Sequence, residues 1–269
     1  MILSSGSASS LAGGWPGVLA TMLYAVATLR GGPRERVAAL ALPAAWVAHL
    51  LALLLHITGW GIDGSGTRLG FAPVLSLTVW IVIGLHAIES RFVPLPEVRS
   101  WLAPTGALVV VLAAFFPGDS RSYASPWAPL HFVLGVGAYG LFGAAVLHAA
   151  LLDAAERRMR LKGPAPTGGG MPLLQLERLT FRFVEVGFLV LSATLLLGAF
   201  TTQHWRWDHK TVLSLLGWAV FAALLTGRRL RGWRGRRATR WLYGGALLLL
   251  LAYAGSRFVF EVLLSRPIL

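Results

Sequence analysis

The chain has 269 residues, 56% hydrophobic and 13% charged, with no cysteine and a mean hydropathy of +0.67. A soluble domain carries about 25% charged and about 45–50% apolar residues, so this composition excludes a water-soluble enzyme, a disordered tail and a disulfide scaffold. The net charge of +13, Arg in all but Lys162 and Lys210, would suggest nucleic acid in a soluble protein. Here membrane topology accounts for it, and no nucleic-acid partner is expected.

Eight apolar runs long enough to span a bilayer as helices lie near 11–29, 37–58, 71–88, 101–117, 128–152, 182–203, 211–227 and 239–264. Runs such as LLALLLHI and LYGGALLLLLAYAG lack the alternation of a β-barrel. The expected fold class is all-α: a polytopic integral membrane helix bundle of about eight transmembrane helices, one domain over 1–269. Pro43, Pro73 and Pro104 read as helix-end prolines. Gly135, Gly137 and Gly140 beside Tyr139 read as close helix packing. The longest break, 153–181, starts as DAAERRMRLK and passes through GPAPTGGG. It reads as a flexible loop, with Leu173, Leu174, Leu176 and Leu179 forming a short interfacial helix.

The loops 30–36, 89–100, 153–182 and 228–240 carry eighteen Lys and Arg, whereas the alternate loops hold only Arg68, Arg121, Arg206, Lys210 and Arg266. By the positive-inside rule the rich side is cytoplasmic, 153–181 is a cytoplasmic loop, and both termini face outward. The start MILSSGSASS has no basic n-region, so no cleaved signal peptide is expected. The run RRLRGWRGRR reads as a topology anchor, with anionic membrane lipid or another partner as its second use.

Ionisable groups inside a membrane are costly, and that makes seven histidines informative. With this topology His49 lies near the midplane of the second helix, with His56 seven residues on, near the outer surface. His131 opens the fifth helix at the outer boundary, and His204 and His209 lie in the next outer loop. His86 and His148 fall near the inner surface and read as hydrogen-bonded or interfacial side chains. The outer loop runs Gln203-His204-Trp205-Arg206-Trp207-Asp208-His209-Lys210, and Trp218 follows in the next helix. A porphyrin needs flat aromatic surface, a nitrogen ligand for iron and cations for its propionates, and this loop carries all three. The same Trp and cations also suit an interfacial belt. Asp208 precedes an apolar run and reads as an N-cap. Arg257 and Glu261, four apart in the last helix, suit an ion pair or a partner-facing polar site. Glu185 is expected to snorkel or to pair with Arg182. P-loop, zincin and nucleophile-elbow motifs are missing, and no nucleophile and base converge, so catalysis is not expected.

The order of segments is similar to a known family. PLHFVLGVGAYGLFGAAVLHAALL, MPLLQLERLTFRFVEVGFLVLSATLLLGAF, HWRWDHKTVLSLLGWAVFAALLTGR and GWRGRRATRWLYGGALLLLLAYAGSRFVFEVLL together resemble the CcsA/ResC/CcmC superfamily of cytochrome c assembly proteins. The likeness is nearest to its YpjD-like, CcsA-related inner-membrane branch. It is strong over 129–264, with a core of about 37–264, and it implies a bacterial inner-membrane protein that handles haem. Trp205, Trp207, Asp208, Lys210, Thr211 and Trp218 fall on a reduced form of the family's Trp-rich outer loop. His131, within Leu130-His131-Phe132, matches the external His before that loop, and His49, then His56, matches the membrane-embedded His.

The resemblance therefore implies haem b with His131 as an axial ligand and His49 or His209 as a possible second. Trp205 and Trp207 would pack on the macrocycle, and Arg206 or Lys210 would meet a propionate. Cytochrome c assembly proteins are the implied partners. The family's second external His has no counterpart, since residues 255–269 read GSRFVFEVLLSRPIL. His204 or His209 substitutes, a single protein His suffices, or this branch has lost haem handling. Two further readings stand beside haem handling. One is a cofactor-free accessory protein that binds a partner through Arg257 and Glu261 or the Arg loop. The other is a small-molecule or lipid transporter.

Overall fold

A computed structural model describes residues 6–29, 33–58, 67–68, 70–90, 96–118, 120–121, 127–161, 173–201, 207–255 and 258–259. Among them are eight α-helices: α1 (Gly6–Ala27), α2 (Pro33–Thr58), α3 (Phe71–Glu89), α4 (Pro96–Phe115), α5 (Ala128–Arg160), α6 (Leu173–Thr201), α7 (His209–Arg231) and α8 (Gly235–Leu250). A π-helical turn, Leu251–Gly255, follows α8, and two short strands, Thr67–Arg68 and Ser120–Arg121, pair antiparallel. Six of the helices, α2 to α7, are long and apolar enough to cross a membrane. Large apolar side chains point outward along them, with Leu40 74% and Phe200 86% exposed, as lipid-facing helices require.

The chain divides into two compact units, one of residues 1–123 with 257–269 and one of 124–256. In the first, α1 packs closely on α2 and α4, and α3 on α4. Small residues permit that approach: Ala20, Ala27, Ala38, Ala41, Ala45 and Ala48 are all buried. Trp46 of α2 and Trp80 of α3 stack with centroids 4.4 Å apart. Each indole N–H donates to the other's backbone carbonyl, at 2.9 and 3.0 Å. Gly84 gives this pair its room, because a Cβ there would sit 3.1 Å from the Trp46 ring.

In the second unit α5 packs along α6 and α8, and α7 along α8. Its core centres on Phe142 and Phe221, stacked at 3.9 Å, with Val184, Leu224 and Leu242 fully buried around them. Gly187 and Gly245 lie under those two rings. Gly135 faces Thr194 across α5 and α6, as expected of close packing, but Gly137 has no neighbour within 4 Å of a would-be Cβ.

Several boundaries differ from expectation. Both ends of the segment 153–181 are helical rather than loop: α5 runs on to Arg160 and α6 begins at Leu173, while 162–172 lie outside the described residues. The extension of α5 has a polar reason. Asp153 accepts from Thr239 Oγ1 at 3.1 Å and from the Tyr243 hydroxyl at 3.0 Å, tying the added turns to α8. Leu173, Leu174, Leu176 and Leu179 form the first turns of α6, not a separate interfacial helix. Pro43 and Pro104 lie inside α2 and α4 rather than at their ends; interior prolines are tolerated where neighbouring helices satisfy the freed carbonyls. Glu185 pairs with Arg229 of α7 at 3.9 Å, not with Arg182.

Candidate functional site

His131 is the fourth residue of α5, and its backbone N–H donates to the Trp127 carbonyl at 3.0 Å. Pro129, the second residue of the helix, gives up an N–H that would have no intrahelical partner there, which suits the turn carrying the imidazole. The half-buried ring lies against α6: a Cβ on Gly198 would stand 3.0 Å from its Cε1 and 3.5 Å from its Nδ1. The Thr194 backbone and, from the start of α7, the charge of Lys210 both act on it. Its Nδ1 is buried and has no hydrogen-bond partner among the described residues. A neutral imidazole that spends its N–H on a carbonyl keeps a lone pair on the other nitrogen, the electronic form that ligates a metal.

The start of α7 is organised by Asp208. Its carboxylate accepts from the Thr211 backbone N–H at 2.8 Å, so it is the N-cap expected from sequence. Partial burial works to raise this carboxyl. The Thr211 N–H and hydroxyl, then Lys210 and His209, outweigh burial and hold it below the ordinary carboxylate value. Lys210 lies with its Nζ 5.4 Å from the centroid of Tyr253, in the π-helical turn. Trp207 is 72% exposed, and His209 is exposed beside it. Trp218 faces inward, donating to Ser192 Oγ at 2.9 Å and stacking on Phe188, so it fastens α7 to α6. His204, Trp205 and Arg206 lie outside the described residues, as do Arg257 and Glu261.

His49, in the first unit, differs in kind. It is fully buried, with Nδ1 3.0 Å from the Tyr24 hydroxyl and Nε2 2.7 Å from Ser76 Oγ. Three helices meet at this ring, and both its nitrogens are engaged. Iron ligation by His49 requires giving up one of these bonds. His56 donates to the Pro117 carbonyl at 3.2 Å, and His148 donates to Ala144 of its own helix at 2.7 Å. His86 is buried on α3.

Among the described residues, no three His, Cys, Asp or Glu gather as a metal cage. A haem iron, already held by its porphyrin, needs only one or two axial protein ligands, so that rule leaves His131 a fitting donor. Thr194, Gly198 and Tyr253 also shape this region, and the sequence alone does not mark them as site residues. A glycine interrupting the apolar run LLLGAF is the one local signal pointing to any of them.

Taken together, the features describe an integral membrane helix bundle with an imidazole at one helix start beside a capped, cationic helix N-terminus. The chain belongs to the cytochrome c assembly protein family, whose pattern matches residues 15–264. It is 30% identical over 242 residues to the inner membrane protein YpjD of Escherichia coli (strain K12), covering 87% of this chain and 90% of that one. It is 25% identical over 244 residues to the cytochrome c biogenesis protein CcsA of Synechococcus sp. (strain CC9605), covering 78% and 80%. An uncharacterized 28.8 kDa protein of Azospirillum brasilense is 30% identical over 228 residues, covering 82% and 75%. No solved structure matches. The family and the six apolar helices make this a multi-pass protein of the bacterial inner membrane.

Proposed function

We propose that this protein handles haem b for cytochrome c assembly, receiving it where His131 opens α5. The observation that carries the reading is the buried, unpartnered Nδ1 of His131 among the described residues, beside the cationic start of α7. Membership of the cytochrome c assembly family and the likeness to a CcsA protein support it. By the positive-inside rule the Arg-rich ends of the helices face the cytoplasm, which puts His131 on the outer face and both termini outside.

When bound, haem supplies an iron that accepts an imidazole nitrogen and two carboxylates that need cationic partners. On the protein side, the Thr194 backbone acts on the His131 ring, and an N–H turned to it would leave the other nitrogen's lone pair for a ligand. Lys210, over the Tyr253 ring and next to the Asp208 cap, would meet a propionate, with Arg206 as its neighbour in sequence. Trp207 and Trp205 supply aromatic surface. His209 or His204 would serve as a second ligand and leave the His49 network intact.

Purified full-length protein, expressed with added haem precursor, should show a Soret band that His131→Ala removes. Absence of a His131-dependent band overturns the proposal. The cofactor-free accessory reading predicts instead a partner that co-purifies undiminished with His131→Ala; the full engagement of His49 favours that reading over any haem route through the first unit.

A further inference from the structure

The Arg-rich run between α7 and α8 is not uniform. Gly232 ends α7 in the left-handed region at φ 63°, which folds Trp233 back over Gly227. Arg228 is consumed in that fold: it pairs with Glu177 at 3.1 Å and lies 3.3 Å from the Phe181 ring centroid. Arg237 covers the Trp233 ring at 4.3 Å. Arg234 and Arg236 have no such task. With the last turn of α5 and the first turns of α6 they line an open cavity of about 660 Å³, whose walls include Glu156, Met159, Arg160, Glu177, Arg234 and Arg236. That lies within the range of about 300–1,000 Å³ in which small-molecule sites fall.

The charges in these walls do not cancel. Glu177 is already spent on Arg228. Arg160, Arg234 and Arg236 have no ion-pair partner among the described residues, and neither does Glu156. Three guanidinium groups therefore face one uncommitted carboxylate. The N-terminus of α8 opens here too, and Arg234 at its N-cap makes no side-chain capping bond. A helix start attracts anions, and guanidinium forks match phosphate oxygens. Glu156 lies beside that helix start, with its Oε1 3.4 Å from a would-be Cβ of Gly235. It gives the cavity one acceptor for a hydroxyl or ammonium. Met159, on the wall, is 59% exposed, and Leu161, next to Arg160, is 80% exposed, so apolar surface borders the charge.

We propose that this cavity binds a phosphate-ester headgroup, with Arg160, Arg234 and Arg236 on the phosphate and Glu156 on the headgroup's hydroxyl or ammonium. The apolar border favours a membrane phospholipid over a soluble phosphate ester. The site does not depend on the haem reading: Arg160 and His131 lie at opposite ends of the 33-residue α5, about 40 Å apart at 1.5 Å per residue.

The test is native mass spectrometry of the full-length protein in detergent with added phosphatidylglycerol, phosphatidylethanolamine, diacylglycerol or inorganic phosphate. Phospholipid should be retained one per chain and diacylglycerol should not. The double variant Arg160→Gln with Arg234→Gln should weaken phospholipid binding about thirtyfold, the loss of two interfacial cations. Arg229→Gln, outside the cavity, should leave it unchanged. Glu156→Gln should strengthen phosphatidylglycerol and weaken phosphatidylethanolamine, a split that misfolding does not produce. Arg-dependent binding of inorganic phosphate without phospholipid retention would keep the site and assign it to a soluble ester. Equal retention of diacylglycerol, equal losses with Arg229→Gln, or no split with Glu156→Gln would overturn the proposal.

Discussion

His49 and His131 carry the same signal in sequence, an ionisable ring in an apolar helix, and the structure spends them in opposite ways. Around His49, α1, α2 and α3 each supply one polar group, and Tyr24, His49 and Ser76 satisfy one another at 3.0 and 2.7 Å. Around His131 the neighbours are a glycine, a backbone carbonyl group and a lysine charge, and one ring nitrogen is left over. Burial of a polar group costs little when every lone pair is used and much when one is not. The first ring is therefore a fastener of the fold. The second is tolerated at a cost that a ligand would relieve. Hydrogen-bond accounting separates the two.

This contrast is broken most sharply by truncating the first ring. His49→Ala removes two buried hydrogen bonds, strands the Tyr24 and Ser76 hydroxyls and opens a cavity. It should cost roughly 2–5 kcal/mol, read as a fall in the thermal midpoint in detergent. The haem-to-protein ratio of what remains folded should not change. Loss of the Soret band at wild-type stability would instead make His49 a ligand and end the distinction. Gly106→Ala reaches the same network from α4, since its Cβ would stand 2.8 Å from Tyr24 Cζ. Overpacking of this sort costs about 1–3 kcal/mol. On the other side, Gly198→Ala sets a methyl 3.0 Å from His131 Cε1. We expect a shifted or weakened Soret band with a change in midpoint below about 1 kcal/mol, because a half-buried ring at a helix start can turn aside. An unchanged spectrum would show that the ring does not touch the iron.

The helices are legible in the sequence because a bilayer demands long apolar runs: each of the eight runs meets a helix among the described residues, six of them long and apolar enough to cross a membrane. Their ends are less so. Asp153 looks like the start of a loop until its partners Thr239 and Tyr243 are known, 86 and 90 residues away. Pro43 and Pro104 look like helix ends because a lone sequence does not reveal the neighbours that accommodate them. His131 and the Asp208 cap are readable, since helix starts have local signatures. Tyr24, Ser76 and Thr194 are not. Each matters only through a ring on another helix, and a hydroxyl or an ordinary carbonyl leaves no periodic trace. Trp218 is read from sequence as the helix residue that continues the Trp-rich pattern, and the structure adds what sequence does not show, that its N–H goes to Ser192 inside the unit.

The smallest expected effect sharpens the contrast through pH. Asp208 holds the start of α7, and so the place of Lys210, by accepting from Thr211. Its carboxyl is held below its ordinary value in the folded protein. A group depressed on folding stabilises the fold above its unfolded value, and that contribution fades as pH falls through the folded one. Asp208→Ala should therefore lower stability by about 1 kcal/mol near neutrality. The gap from wild type should close in acid, at pH values below those at which an exposed carboxylate titrates. Asp208→Asn keeps a capping oxygen without a charge, so it should retain most of the stability and lose the acid dependence. Because the cap is made within its own unit, by Asp208 on Thr211, and the His49 network within the other, by Tyr24 and Ser76, His49→Ala should leave the acid profile of the wild-type minus Asp208→Ala difference unaltered. A changed profile would mean that the two regions are coupled, and that the fastener and the site are parts of a single device.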